Sequence, residues 1–164
     1  MEIRKAALQD LDTIMDIYAQ AREFMVATGN PRQWAARSWP PRELILRDID
    51  RGKSYVCAEG NEILAVFFYD YGYDIDPTYR RIDDGAWLAD SPYGVVHRIA
   101  ARAGSGAGKF CIHWAFDQCG HLRIDTHGDN AVMQKVLLGL GFSRRGIIYI
   151  EEDNDPRIAF EKIG

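Results

Sequence analysis

Apolar residues recur along this chain with two different periods, and the switches between them mark its elements. Residues 2–7 read as a first short strand. After Gln9-Asp10, the residues Leu11, Ile14, Met15, Ile17, Tyr18, Ala21, Arg22 and Met25 fall at helical spacing. This predicts an amphipathic helix with Asp10 as its N-cap. Thr28-Gly29-Asn30-Pro31 ends it. Pro41 suits the first turn of a second helix, which Leu44, Ile45 and Ile49 carry to about Arg51. Tyr55-Val56-Cys57-Ala58 then predicts a strand, and Gly60-Asn61 a two-residue hairpin turn. The returning strand, Ile63 to Tyr71, is apolar throughout, as a central strand covered on both faces must be.

The second half repeats strand and helix. Val95 to Ala100 is a short apolar strand. Ala103-Gly104-Ser105-Gly106-Ala107-Gly108-Lys109 follows as a glycine-rich loop, then a helix from Phe110 to Cys119 and a strand at Leu122–Asp125. Asn130 opens a further helix that closes at Gly141-Phe142. Two last strands are expected at residues 145–151 and 157–161, separated by Asp153-Asn154-Asp155-Pro156.

Composition narrows the class. A chain of 164 residues, 47% hydrophobic and 27% charged, is expected to form one domain spanning residues 1–164. A net charge of −4 argues against broad binding to nucleic acid. No apolar run approaches the roughly 20 residues of a membrane span. Met1-Glu2-Ile3-Arg4-Lys5 lacks the apolar core of a secretion signal, and three cysteines form no disulfide framework, so a reduced, cytoplasmic protein is expected. Cys119-x-His121 has no second pair at zinc spacing, so no metal is expected.

The glycine loop carries the chemical signal. Glycines let backbone N–H groups approach oxygens closely, a helix N-terminus adds partial positive charge, and Lys109 adds a full one, so the loop suits a phosphate-bearing ligand. A P-loop would need a glycine at Ala103 and a hydroxyl at Phe110. A dinucleotide fingerprint needs different glycine spacing in a first βαβ unit.

The stretch Val95–Phe142 resembles the GNAT acetyltransferase superfamily, whose acyl-coenzyme A loop reads Gln/Arg-x-x-Gly-x-Gly/Ala. Ala103 stands in the leading slot, Gly106 and Gly108 in the glycine slots, and Arg102 lies one residue earlier. Asn130 at a helix start and Gly141-Phe142 at its end match the family's later signature. The family's thiolate-protonating Tyr falls on Leu137.

The resemblance implies an α/β fold: a mixed, mostly antiparallel twisted sheet of about six or seven strands with about four helices. It also implies that the sheet splays between the Val95–Ala101 and Leu122–Asp125 strands to take pantetheine. Backbone groups of Ile99, Ala100 and Ala101 would bind that arm and polarise the thioester. Gly104, Ser105, Gly106, Ala107, Gly108 and Lys109 would hold the pyrophosphate. Asn130 would contact the cofactor or simply cap its helix. Arg22 would border the acceptor; the residues themselves offer Trp34 as an aromatic wall or as part of a loop folded on the core, and the stretch around Trp87 as an acidic, aromatic mouth for a cationic amine or as a surface loop. His127 or Tyr149 would replace the missing acid. The implied activity is acetyl transfer from acetyl-coenzyme A to a primary amine of a small molecule or peptide, with no nucleic-acid or membrane partner. A non-catalytic acyl-coenzyme A sensor, a partner-binding module and a homodimer stay open.

Overall fold

In a computed structural model describing residues 1–151 and 153–164, seven strands form one sheet with four α-helices packed on it. The strands are β1 (Glu2–Lys5), β2 (Ser54–Glu59), β3 (Glu62–Gly72), β4 (Tyr93–Ala101), β5 (His121–Thr126), β6 (Ser143–Tyr149) and β7 (Pro156–Ile163). The helices are α1 (Leu11–Ala27), α2 (Arg42–Asp50), α3 (Ala107–Cys119) and α4 (Ala131–Gly139). The sheet order is β1-β2-β3-β4-β5-β7-β6, and every pairing but β4–β5 is antiparallel. The expected mixed α/β architecture is present. Among the described residues no helix is long and apolar enough to cross a membrane.

β3 is the central strand its apolar run implied. Ile63 and Val66 face a core built with Leu11, Ile14, Ile17 and Ile45 from α1 and α2. Leu64, Phe67 and Tyr69 face a second core with Cys111, Ile112 and Leu137 from α3 and α4. A single buried Ile side chain contributes on the order of 1.5–3 kcal/mol, so these two layers hold the sheet.

Two local expectations are corrected. Asp10 holds the N-cap position of α1, but its side chain makes no capping bond there, because it lies in helical backbone at the end of a 3-10 turn. Its carboxylate accepts from Ala7 N–H at 2.8 Å and pairs with Arg4 at 2.7 Å. α3 begins at Ala107, earlier than its apolar spacing suggested. Gly106, at φ +74°, makes the sharp entry that side chains with a Cβ resist, and Ser105 Oγ accepts from Ala107 N–H at 3.2 Å.

β4 is the distorted strand. Val66 pairs with Ala100, but Phe68 pairs with His97, so Phe67 opposes two residues, Arg98 and Ile99. Arg98 sits at φ +52°, which non-glycine residues seldom adopt. Long-range contacts stabilise it there. Its carbonyl accepts the Tyr18 hydroxyl at 2.7 Å, its guanidinium pairs with buried Asp48 at 2.9 Å, and the same group covers the Phe68 ring at 4.7 Å. Such a bulge bends and overtwists its strand. β4 and β5 pair only at Gly94–Leu122 and Val95–Arg123. Beyond that point β4 stays with β3 and β5 with β7, so the sheet opens.

Candidate functional site

The opening between β4 and β5 is a cleft of about 550 Å³. One wall is β4 from Val95 to Ala101; the other is Ile124, Asp125 and Thr126 of β5 with Asn130, Met133 and Val136 beside them. Gly108 and Lys109 line it from the start of α3. Phe24, Met25, Trp34 and Trp39 line it from α1 and the segment that follows.

Along β4, backbone groups past Val95 have no partner strand on the β5 side. The edge from Ile99 to Ala101 therefore offers donors and acceptors to an extended, amide-bearing ligand. Across from it, Thr126 Oγ1 is buried and has no hydrogen-bond partner among the described residues. A buried hydroxyl left unpaired costs roughly 1–3 kcal/mol, and an amide in the cleft would satisfy it. The first N–H groups of α3 have no intrahelical partner, and Lys109 stands beside them. Strand edge, orphan hydroxyl and helix start together fit pantetheine followed by pyrophosphate.

Of the residues expected at the loop, Gly108 and Lys109 line the cleft. Gly104 and Gly106 shape the turn instead, both at φ +74° with open space where a side chain would stand. Ala107 is buried beneath the helix, and Ser105 is occupied as its cap. Arg102 is held by the Ile63 carbonyl at 3.0 Å and Gln20 at 3.1 Å. Asn130 both lines the cleft and caps α4, accepting from Met133 N–H at 3.0 Å while donating to Gln33 at 3.0 Å.

The expected acceptor and acid residues scatter. Trp34 lines the cleft and packs edge-on against Tyr18 at 5.8 Å, serving wall and core at once. Arg22 donates to the Trp39 carbonyl at 3.3 Å and does not line the cleft. Trp87 borders a separate recess, where its face carries Arg123 at 4.2 Å. Leu137 is fully buried, so no acid acts from that position.

Neither proposed acid lines the cleft. His127 Nδ1 accepts from Asp129 N–H at 2.9 Å, which makes the ring a clasp for the turn before α4. Burial and the nearby Arg157 charge hold its pKa below the ordinary value. Tyr149 carries the Arg81 guanidinium over its ring at 4.5 Å, and the Asp83 hydrogen bond raises its pKa. His127 lies in the turn after β5 and Tyr149 at the end of β6, and both side chains meet loop residues rather than the cleft.

The sequence missed the cluster that does converge. His97, Asp76 and Asp125 line the cleft together. His97 Nε2 lies 2.7 Å from Asp76 and its Nδ1 lies 3.8 Å from Asp125. Asp125 accepts the Tyr79 hydroxyl at 2.7 Å.

No protein-family model matches the chain, and no curated protein matches it. Solved structures do. An acetyltransferase of the GNAT family from Streptococcus agalactiae is 29% identical with a TM-score of 0.89, the match covering 99% of this chain and 95% of that one. A GNAT-family acetyltransferase from Listeria monocytogenes is 18% identical with a TM-score of 0.70, over 98% and 93%. A chain of the NatC complex bound to Gag peptide and CoA is 12% identical with a TM-score of 0.59, over 100% and 99%. The last two show the shared fold alone.

Proposed function

We infer, from the premise that this chain is an acetyltransferase of the GNAT superfamily, that it moves an acetyl group from acetyl-coenzyme A to a primary amine. The observation that carries this reading is the parting of β4 from β5 after Val95, with Gly108 and Lys109 at the cleft. In this reading the pyrophosphate binds at the first turn of α3 and pantetheine lies along Ile99–Ala101, with Thr126 Oγ1 as a further partner. A backbone N–H of the bulged strand then points at the thioester oxygen, where charge develops during attack. One such donor is worth on the order of 10²–10³ in rate.

Chemistry requires a neutral amine, a polarised carbonyl and a proton for the departing thiolate. The NatC complex, one chain of which shares this fold, is bound to CoA, which supports a coenzyme A donor here. The test is release of free coenzyme A thiol from acetyl-coenzyme A against a panel of primary amines, amino acids and peptide N-termini. Amine-dependent release with an acetylated product detected by mass spectrometry is expected. Saturable acetyl-coenzyme A binding without turnover on any member would favour a sensor on the same fold.

A further inference from the structure

Acetyl transfer by itself does not say where the acceptor sits or what takes its proton, and the His97 cluster bears on both. Asp76 Oδ2 lies 2.7 Å from His97 Nε2, and Asp76 Oδ1 accepts from Thr78 N–H at 3.0 Å. Burial pushes the Asp76 carboxyl up, but the hydrogen bond and charge of His97, with the Thr78 N–H, outweigh it and hold the group below the usual carboxylate range. An ionised Asp76 can only accept, so in the neutral ring the hydrogen belongs on Nε2 and the lone pair on Nδ1. Nδ1 and Asp125 Oδ2 are then two acceptors 3.8 Å apart. That gap is too long for a hydrogen bond and short enough for one donor to serve both.

Charge says what kind of donor. Asp48 in this cleft pairs with Arg98 at 2.9 Å, and Asp70 with Lys53 at 2.6 Å. Arg51, also facing the cleft, adds its charge near Asp48. Asp76 and Asp125 have no Lys or Arg within 4.0 Å among the described residues; their ion-pair partner is His97 alone. Two carboxylates beside a single imidazole leave a net negative site on a cleft wall whether or not the ring carries a second proton. The Phe68 ring, 5.8 Å away and near parallel, covers the face of the imidazole.

We propose that a primary alkyl amine docks here as its ammonium, between His97 Nδ1 and Asp125 Oδ2, and that His97 takes its proton. The proposal rests on the acetyl-transfer reading. The ammonium gives one proton to Nδ1 and becomes a neutral amine. Its lone pair forms the C–N bond to the thioester carbonyl, and collapse breaks the C–S bond. The second nitrogen proton ends on the coenzyme A sulfur, and the proton on His97 returns to solvent. The products are an amide, a thiol and one released proton. Asp76 is a positioning residue that fixes the tautomer, and Asp125 holds the cation. An acceptor with a carboxylate next to its amine meets two like charges here and is disfavoured. Met25, Trp34 and Trp39 suit an apolar body behind the amine.

The test combines ¹⁵N-histidine NMR with kinetics. With saturating coenzyme A, n-butylammonium should shift the His97 Nδ1 resonance, while n-butanol should not, and Asp125→Asn should abolish the shift. A His97 tautomer protonated on Nδ1, or an equal response to butanol, overturns the proposal. On the best amine of the panel, His97→Gln should lower kcat by ~10²–10⁴ and remove the acidic limb of its pH profile, with acetyl-coenzyme A affinity unchanged. Asp76→Asn should shift that limb. Turnover that survives His97→Gln with its pH profile intact overturns the proposal and leaves acetyl transfer standing. Absence of acetyl-coenzyme A binding to the unaltered protein would instead sink the acetyl-transfer reading, and the butylammonium titration repeated without coenzyme A would still decide the cation site.

Discussion

His97 and His121 each face a carboxylate, His97 meeting Asp76 at 2.7 Å and His121 meeting Glu161 at 2.5 Å. Their surroundings differ in two ways. Glu161 is sealed: it also accepts from Arg123 at 2.9 Å and from Leu88 N–H at 2.5 Å, and its side chain is 0% exposed. Arg123 lies between the Trp87 and Tyr93 rings and donates to the Ala89 carbonyl at 2.7 Å. That cluster ties the segment around residues 87–92 to β5 and β7, and every charge in it has an opposite beside it. The His97 cluster opens on the cleft, and neither of its carboxylates has a permanent cation. The same residue pair is scaffold where charge is balanced and access closed, and chemistry where both conditions fail.

The comparison breaks most sharply at Glu161. Glu161→Ala would leave buried Arg123 without its partner, and a broken buried pair costs about 3–5 kcal/mol. Urea unfolding should show that loss; a change below about 1 kcal/mol would mean that the cluster is not a clamp. His97→Gln, in a partly open site, should alter unfolding far less than Glu161→Ala does. The bulge is a second contrast. Arg98→Gly relieves the positive φ, worth about 1–2 kcal/mol, but strands the buried Asp48, so a net loss of stability is expected from thermal melts. A net gain would show that the Arg98–Asp48 pair contributes nothing.

Smaller effects follow. Lys109→Ala should weaken acetyl-coenzyme A binding by about 1–3 kcal/mol, as a lost charge-assisted contact does. Arg102→Ala should change it little, because that guanidinium is held by Ile63 and Gln20. Isothermal calorimetry on both variants separates them.

His127 gives the smallest effect. Its pKa is depressed in the fold, so below the ordinary value of 6.5 the unfolded chain binds more protons than the native one. Stability should therefore fall as pH drops from about 6.5 through the depressed value. His127→Gln should flatten that slope while leaving kcat close to unchanged; an equal slope in both proteins would remove His127 from the account.

Much of the fold was legible because its causes are local. The apolar run of β3 specified a strand covered on both faces, Gly60-Asn61 specified the hairpin, and the segment from Val95 to Gly141-Phe142 specified the order of elements around the cleft. The bulge was not legible. Val95 to Ala100 reads as an unbroken strand, and what holds Arg98 at positive φ comes from Tyr18 and Asp48, 80 and 50 residues away. The His97 cluster was hidden for the same reason. Asp76 lies 21 residues before His97, in a segment whose acids and aromatics read together as one loop or mouth, with nothing local to single out Asp76. Only the fold separates Asp76, which faces the cleft, from Trp87, which faces the other recess. His127 and Tyr149 were placed by their nearness in sequence to the cleft strands, and side-chain direction, not sequence distance, decides what reaches a ligand.

The central claim is that the opening between β4 and β5 is an acetyl-coenzyme A site, and Gly108 tests it most directly. A Cβ there meets only the Ala101 Cβ at 3.7 Å, an ordinary contact, and an acidic side chain suits the first turn of a helix. Gly108→Glu should therefore fold with an unchanged melting temperature while setting a negative charge against the pyrophosphate. Calorimetry should show saturable one-to-one binding of acetyl-coenzyme A to the unaltered protein and none to Gly108→Glu. Equal affinity in the two proteins, or no binding to either, would contradict the account.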